Sequence, residues 1–215
     1  MIVFDLTGSE AHPVYEALVV DNGNRQYDFL RSIVSAAVEL KRPWMSSAIL
    51  YALNYHAIAC LHSYAGQYRP CQVTVGPHIP PEHYRVPALM EDFINEVNHF
   101  WNKADAVALA AFVLWRLNYI HPFVNGNGRT ARAACYFVLC VQLGGWLKGD
   151  RILPEALRHE HHGEYIAAIR AADESLKAGP VDLSALHNLL TRLLAEQLGV
   201  DPPIATPSTS PPPVT

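Results

Sequence analysis

Apolar residues recur at helical spacing along most of the chain, which predicts a mostly α-helical protein. Residues 46–63 carry one apolar stripe and residues 86–102 carry a second. The residues predicted to face inward from the second stripe are Leu89, Phe93, Val97 and Phe100. Residues 104–120 are apolar on nearly every side, so we expect a central buried helix there, paired with a helix over 129–143 that ends at Gly144.

Two further helices, over 155–175 and 183–198, are predicted to lie outside this pair. Val73, Thr74 and Val75 form a short alternating segment between Pro70 and Gly76, which predicts a small β-hairpin. We expect residues 1–44 to be an N-terminal extension packed on the core and residues 45–198 to be one domain. Residues 199–215 are rich in proline and predict a disordered tail.

Composition narrows the classes of partner. The chain has 215 residues, half of them apolar, so a single domain with a sizeable core is expected. Its formal charge is −4 and it has no basic run, which argues against nucleic acid. The apolar run at 104–120 contains Arg116 and is short for a bilayer span, so no membrane insertion is expected. The four cysteines form no C-x-x-C pattern, and the N-terminus resembles no secretory signal, which together favour a cytoplasmic location.

Residues 121–132, His-Pro-Phe-Val-Asn-Gly-Asn-Gly-Arg-Thr-Ala-Arg, carry the candidate chemistry. Gly126 and Gly128 can both adopt positive φ, and Asn127 can hydrogen-bond its own turn, so this loop can present converging amides to an anion. Because a helix is predicted to follow, its N-terminus adds positive potential. Arg129 and Arg132 lie on one face of its first turn and offer planar forks to phosphate oxygens.

His121 is the candidate base beside this loop. Its ordinary pKa lies near neutrality, which suits proton transfer. Pro122 cannot continue the preceding helix and biases His121 toward an extended conformation. We therefore expect the imidazole at the end of the helix, facing the anion site.

The segment resembles the motif H-P-F-x-[D/E]-G-N-G-R-x-x-R of Fic (Fido-fold) enzymes at every fixed position except Asn125. Residues 65–87 also resemble the family's substrate-docking flap. The resemblance implies a mostly α Fido fold with a short β-hairpin flap, and AMP transfer from ATP, with Mg²⁺ or Mn²⁺, to a Ser, Thr or Tyr hydroxyl of a target protein. Related kinases of the Doc type have Lys where this chain has Gly128, which favours nucleotidyl transfer.

The resemblance also assigns roles to residues. His121 would take the hydroxyl proton, and Phe123 would pack inward to fix the loop. The residues implied to bind phosphate are Gly126, Asn127, Gly128, Arg129 and Arg132. The residues implied to lie on the docking flap are Tyr68, Arg69, Val73, Thr74 and Val75.

Asn125 stands where the family has the carboxylate that binds Mg²⁺. An amide oxygen can coordinate Mg²⁺ but lacks the charge that this cation prefers. Three interpretations stay open: a weaker AMP transferase, a transferase with another phosphate-containing donor or metal arrangement, and a non-catalytic nucleotide-binding module. On the first interpretation, Asn125→Asp is expected to raise transfer.

Restraint of the activity is a further expectation. Family members often carry an inhibitory helix with [S/T]-x-x-x-E-[G/N], whose glutamate pairs with the second motif arginine, here Arg132. Ser35 to Leu40 approaches this pattern, which makes Glu39 the candidate inhibitor. The alternatives are a separate small antitoxin-like protein, as in a toxin–antitoxin pair, or no restraint. Delivery into another cell as an effector and a homo-oligomeric state are also left open.

Overall fold

The computed structural model describes residues 1–41 and 43–200, so most of the predicted tail lies outside the described residues. The helices, in chain order, are α1 (Val3–Thr7), α2 (Pro13–Glu39), α3 (Ser47–Ile58), α4 (Val86–Phe100), α5 (Ala106–Ile120), α6 (Asn127–Gln142), α7 (Leu153–Arg158), α8 (His162–Ala178) and α9 (Ser184–Leu198). A 3₁₀ turn over His83–Arg85 precedes α4. The predicted mostly α architecture is confirmed.

Helices α5 and α6 form the centre of the core. Eleven residues of α5 and eleven of α6 are buried, and the two helices pack against each other more extensively than any other pair. Helices α2, α3, α4, α8 and α9 surround them. Asp105 begins α5 by accepting hydrogen bonds from the amides of Val107 and Ala108. The prediction of an inner pair joined by the His121 loop is confirmed.

The outer helices differ from the prediction at one point. The helix expected over 155–175 is two helices, α7 and α8, which are separated at 159–161. No apolar side chain occurs between Leu157 and Tyr165, so nothing over those residues holds a continuous helix against the core. The predicted helices over 86–102 and 183–198 are confirmed as α4 and α9, although Leu89 and Phe100 of α4 are only half-buried.

The predicted β-hairpin is absent from the part of the chain that the structure describes. Its only β-type pairing is an isolated antiparallel bridge between Val75 and His78. Pro80 and Pro81 occupy the returning arm and have no N–H groups, so that arm cannot donate to a ladder. The segment 70–82, called the flap below, is therefore an irregular loop. No helix among the described residues has the length and apolar character needed to cross a membrane.

Candidate active site

His121 ends α5, where its backbone N–H donates to the carbonyl of Leu117 at 3.0 Å. Its backbone is left-handed, with φ 51° and ψ 59°. The prediction of an extended conformation at His121 was therefore wrong. The proline that follows disfavours the right-handed helical region at His121, and the left-handed conformation ends the helix in one residue. The sharp change of direction places the imidazole in the wall of a cavity beside α8.

The imidazole of His121 is neutral at physiological pH. Burial lowers its pKa to about 4, and the nearby His78 and Arg69 act in the same direction. The backbone carbonyl of Asn118 accepts a hydrogen bond from the ring and opposes the shift. With one ring nitrogen donating to that carbonyl, the other keeps its lone pair for a proton.

This lowered pKa predicts a pH dependence of stability. The unfolded state binds a proton at His121 below about pH 6.5, whereas the folded state resists protonation until about pH 4. The contribution of His121 to stability is therefore fully present above pH 6.5 and is lost as the pH falls, at up to roughly 1.4 kcal/mol per pH unit. Urea unfolding between pH 7 and pH 4.5 should show a shallower loss for His121→Gln than for the wild type. Parallel curves would contradict this assignment.

The loop after His121 is held by its own side chains. Phe123 is fully buried, as predicted. The buried Asn127 side chain accepts from the Phe123 N–H at 2.9 Å and donates to the Phe123 carbonyl at 2.8 Å. The predicted hydrogen bonding of Asn127 within its own turn is confirmed. Because these bonds occupy the side-chain amide of Asn127, only its backbone N–H can bind phosphate. Gly126 has φ 75°, whereas Gly128 is helical, so only one of the two glycines needs positive φ.

Asn54 of α3 is a loop-holding residue that the sequence analysis missed. Its side chain is fully buried and donates to the carbonyl of Asn125 at 3.0 Å and to the hydroxyl of Thr130 at 3.3 Å. Its side-chain oxygen accepts from the N–H of Gly66 at 3.0 Å. The only available signal was an asparagine within an otherwise apolar stripe. Asn54 therefore fixes the loop from α3.

The N-terminus of α6 is the candidate anion site. Helix α6 starts at the N-cap residue Gly126, which has no capping side chain. The N–H groups of the first turn therefore lack partners within the helix and point toward the loop. Arg132, one turn further, lies beside the hydroxyl of Tyr165, which accepts a hydrogen bond from the Asn118 side chain at 2.9 Å. Asn118 thus connects the anion site with the neighbourhood of His121.

Arg129 was predicted to bind phosphate, but its guanidinium already donates hydrogen bonds to other groups of the protein. It is largely buried, and it donates to the carbonyl of Ala57 at 2.9 Å and to the side-chain oxygen of Asn125 at 3.0 Å. These bonds anchor the loop to the end of α3. Arg129 remains a fixed positive charge below the loop, because a guanidinium stays protonated even where burial lowers its pKa.

Asn125 lies between a cation and an anion. Its side-chain oxygen accepts from Arg129, and its side-chain nitrogen donates to a carboxylate oxygen of Glu10 at 3.0 Å. Because arginine only donates and carboxylate only accepts, these partners fix the orientation of the amide. The oxygen that would coordinate Mg²⁺ faces a guanidinium, and no cluster of three or more potential ligands occurs among residues 1–41 and 43–200. The side chains at Asn125 do not fit a resident cation.

This geometry gives Asn125→Asp a cost in stability that the sequence did not predict. A carboxylate at this position would meet Glu10 where the wild type has a hydrogen bond, so the two charges would repel. We expect Glu10→Gln to be more stabilising in the Asn125→Asp variant than in the wild type, because it removes the repulsion between the two carboxylates. The difference should be at most about 1 kcal/mol, because Glu10 is half-exposed. A double-mutant cycle by urea unfolding measures the coupling. Additive effects would show that Glu10 and residue 125 do not interact.

Glu39 does not occupy the inhibitory position that was predicted for it. The guanidinium of Arg31 in α2 lies 4.8 Å from the ring of Trp146, which follows the C-terminal end of α6. Glu39 is eight residues further along α2, about 12 Å beyond that point, and is exposed. Arg132 lies in the first turns at the other end of α6. The two side chains are therefore separated by most of the length of α6.

Two residues assigned to the docking face of the flap are packed inward instead. Arg69 is buried and bonds to backbone carbonyls. The Tyr68 ring lies 4.8 Å from that of Tyr51 and 5.9 Å from that of Phe123, centroid to centroid, and burial raises its pKa. Both residues support the site rather than face a ligand. The other three residues that were assigned to the docking flap are accessible. Thr74 is exposed, and Val73 and Val75 are half-buried.

A cavity of about 890 Å³ lies between the flap and α8, with His121 in its wall. One side is formed by residues 75–79 and the other by α8, including Ile166, Ile169 and Arg170. Asp173 at the α8 wall accepts from the indole N–H of Trp115 at 2.9 Å and lies 3.6 Å from His78. A cavity of this size accommodates a ligand as large as a nucleoside.

Comparison with known proteins finds similarity to one family. Residues 44–139, which contain the motif segment 121–132, match the model of the Fic/DOC family. Over these residues the chain is similar to that family. It is 41% identical over 73 residues to a protein adenylyltransferase Fic of Nematostella vectensis, covering 32% of this chain and 16% of that protein. It is 44% identical over 68 residues to a protein adenylyltransferase Fic of Drosophila mojavensis, covering 31% of this chain and 14% of that protein.

Solved Fic structures share the fold across nearly the whole chain. Fic-1 (residues 134–508) from C. elegans superimposes with a TM-score of 0.70 at 20% identity, over 92% of this chain and 55% of that chain. A Fic domain containing signaling protein from Bacteroides thetaiotaomicron gives a TM-score of 0.63 at 21% identity, over 93% of this chain and 80% of that chain. The fold thus extends beyond the residues matched by the family model.

Proposed function

We propose that this protein transfers AMP from ATP to a hydroxyl side chain of a target protein. The observation that carries the proposal is a neutral, half-buried imidazole, His121, in the wall of a nucleoside-sized cavity, a few residues before the uncapped N-terminus of α6. A base, an anion cradle and a cavity in this order suit attack on a bound nucleotide. The relatives named protein adenylyltransferase support the same reaction.

In this proposal the triphosphate lies at the start of α6, with its negative charge facing the first-turn amides and Arg132. The nucleoside occupies the cavity between the flap and α8. The charge of the bound phosphates raises the pKa of His121 from its low value in the free protein, toward the range that suits a general base.

The chemical step transfers one proton and exchanges one bond to the α-phosphorus for another. The target hydroxyl gives its proton to the free ring nitrogen of His121 as its oxygen bonds to the α-phosphorus. The bond between the α-phosphorus and the bridging oxygen breaks, and that oxygen leaves with pyrophosphate. The α6 amides and Arg132 stabilise the charge that develops on the leaving group. Each of these roles is performed by the chain's own groups.

The flap supplies the docking surface for the target. Val73 and Thr74 lie in an irregular arm of the flap with accessible backbone, so an extended target segment can pair with it by main-chain hydrogen bonds. A separate antitoxin-like inhibitor remains a prediction for the restraint of this activity.

Labelling with ATP tests the proposal. The protein is incubated with ATP labelled on the α-phosphate or, in parallel, on the γ-phosphate, with Mg²⁺ or Mn²⁺ and a protein extract. We expect label from the α-phosphate on a protein hydroxyl, with release of pyrophosphate. Transfer of the γ-label would indicate kinase chemistry. Nucleotide binding without either label would indicate a non-catalytic module, and binding of another phosphate-containing compound in preference to ATP would indicate a different donor.

A further inference from the structure

Arg69 is a buried cation that bonds only to neutral groups. Its side chain is 2% exposed, and no carboxylate within the described residues lies at ion-pair distance. Its Nε donates to the carbonyl of His121 at 2.9 Å, and its Nη1 donates to the carbonyl of Cys71 at 3.1 Å and to the side-chain oxygen of Gln72 at 3.2 Å. Its Nη2 donates to the carbonyl of Pro81. Burying a charge without an opposite charge is costly, so these hydrogen bonds must compensate for the lost hydration.

The acceptors of Arg69 come from three segments of the chain. Cys71 and Gln72 lie in the outgoing arm of the flap, and Pro81 lies in the returning arm. The side-chain nitrogen of Gln72 completes the link by donating to the carbonyl of Pro80 at 2.9 Å. Because the two arms form no β-ladder, the planar guanidinium holds them together.

The third segment is the backbone of His121. A non-glycine residue with φ 51° is conformationally strained, and such a conformation persists only where its surroundings hold it. Arg69 holds it at two points, because its Nε bonds to the carbonyl of His121 and its backbone N–H donates to the carbonyl of Pro122 at 2.8 Å. The backbone at residue 121 sets the direction of the imidazole, so Arg69 controls that direction without touching the ring.

We propose that Arg69 is a positioning residue that couples the flap to His121, so that a target segment docked on the flap also aligns the base. This inference rests on the proposed transfer reaction. It gives the flap a second role besides docking the target, which is to align His121. Arg69 acts through the backbone of the loop and contacts neither nucleotide nor target.

The test compares Arg69→Lys with Arg85→Lys, a control that makes the same replacement at an exposed position near the flap. Lysine keeps the charge but cannot reach the three segments at once. We expect Arg69→Lys to bind ATP within about threefold of the wild type while kcat falls at least tenfold. A ¹⁵N NMR titration of the His121 ring should show its pKa at least one unit away from the wild-type value. Arg85→Lys should change none of these quantities.

A second variant keeps the proposal testable if Arg69→Lys does not fold. Gln72→Ala removes the link between the flap arms and leaves the bond from Arg69 to His121 in place. Coupling predicts that the titration of His121 shifts in Gln72→Ala too, by a smaller amount. An unchanged titration in either folded variant would overturn the coupling. Because the titration requires no catalysis, a protein without transfer but with these shifts would refute the proposed function alone.

Discussion

His121→Ala is expected to lose AMP transfer by roughly 10³-fold while its affinity for ATP stays within a few-fold of the wild-type value. The imidazole lies in the cavity wall, whereas the phosphates are proposed to bind to the first turn of α6 and Arg132. Removing the ring therefore removes the proton acceptor and leaves the cradle. Transfer is measured with α-labelled ATP, and affinity by calorimetry on the same preparation.

His83→Ala is the matched control for this prediction. His83 is an exposed histidine in the 3₁₀ turn that follows the flap, so its removal should change neither transfer nor affinity. Substantial transfer by His121→Ala would show that another group or a water molecule takes the proton. A parallel loss of ATP binding would show that the ring contacts the nucleotide directly.

Gly126→Ala is expected to destabilise the protein by about 2–4 kcal/mol and to reduce transfer at least tenfold. Gly126 has φ 75°, which costs an alanine roughly 1–2 kcal/mol. The added Cβ would lie 2.6 Å from the Cγ2 of Ile58 and 3.2 Å from the side-chain nitrogen of Asn54, so α3 and the loop must also separate. The free energy of unfolding in urea and the rate of transfer measure the two effects.

Gly144→Ala separates the two causes. Gly144 follows the other end of α6 with φ 88°, and a Cβ there would meet nothing within 4 Å. This variant should show only the backbone cost, without loss of transfer. If Gly126→Ala and Gly144→Ala were equally destabilised, the contact with Ile58 would not matter, and the fixed loop geometry inferred here would be wrong.

Much of the helical fold could be predicted from the sequence, because a helix that packs on the core buries one stripe of apolar residues at helical spacing. The apolar positions of α4, α5, α6 and α9 recur at helical spacing, and their predicted bounds lie within a few residues of the observed ones. Where the apolar pattern stops, at 158–164, the predicted helix breaks into two. The hairpin was predicted from the alternation of Val73, Thr74 and Val75, but a strand needs a partner with free amides, and the prolines opposite provide none.

The candidate motif could be recognised in the sequence, but the contacts that hold it could not. The glycines, His121 and the arginines form one local motif, whereas the residues that hold them come from distant parts of the chain. Asn54 reaches the loop from α3, and Glu10 meets Asn125 from a position 115 residues earlier in the chain. Such contacts depend on tertiary packing, and a single sequence carries no periodic signal for them. The same reason explains why Arg69 was predicted to face a ligand.

We propose that the start of α6 holds the phosphates of a nucleotide beside His121. A crystal structure of His121→Ala with ATP tests it most directly, because this variant should bind the donor without consuming it. We expect the β- and γ-phosphates on the amides of the first turn of α6 and on Arg132, with the α-phosphorus facing residue 121 and the nucleoside between the flap and α8. A triphosphate bound elsewhere, with no phosphate at the start of α6, would show that this helix start is not the anion site.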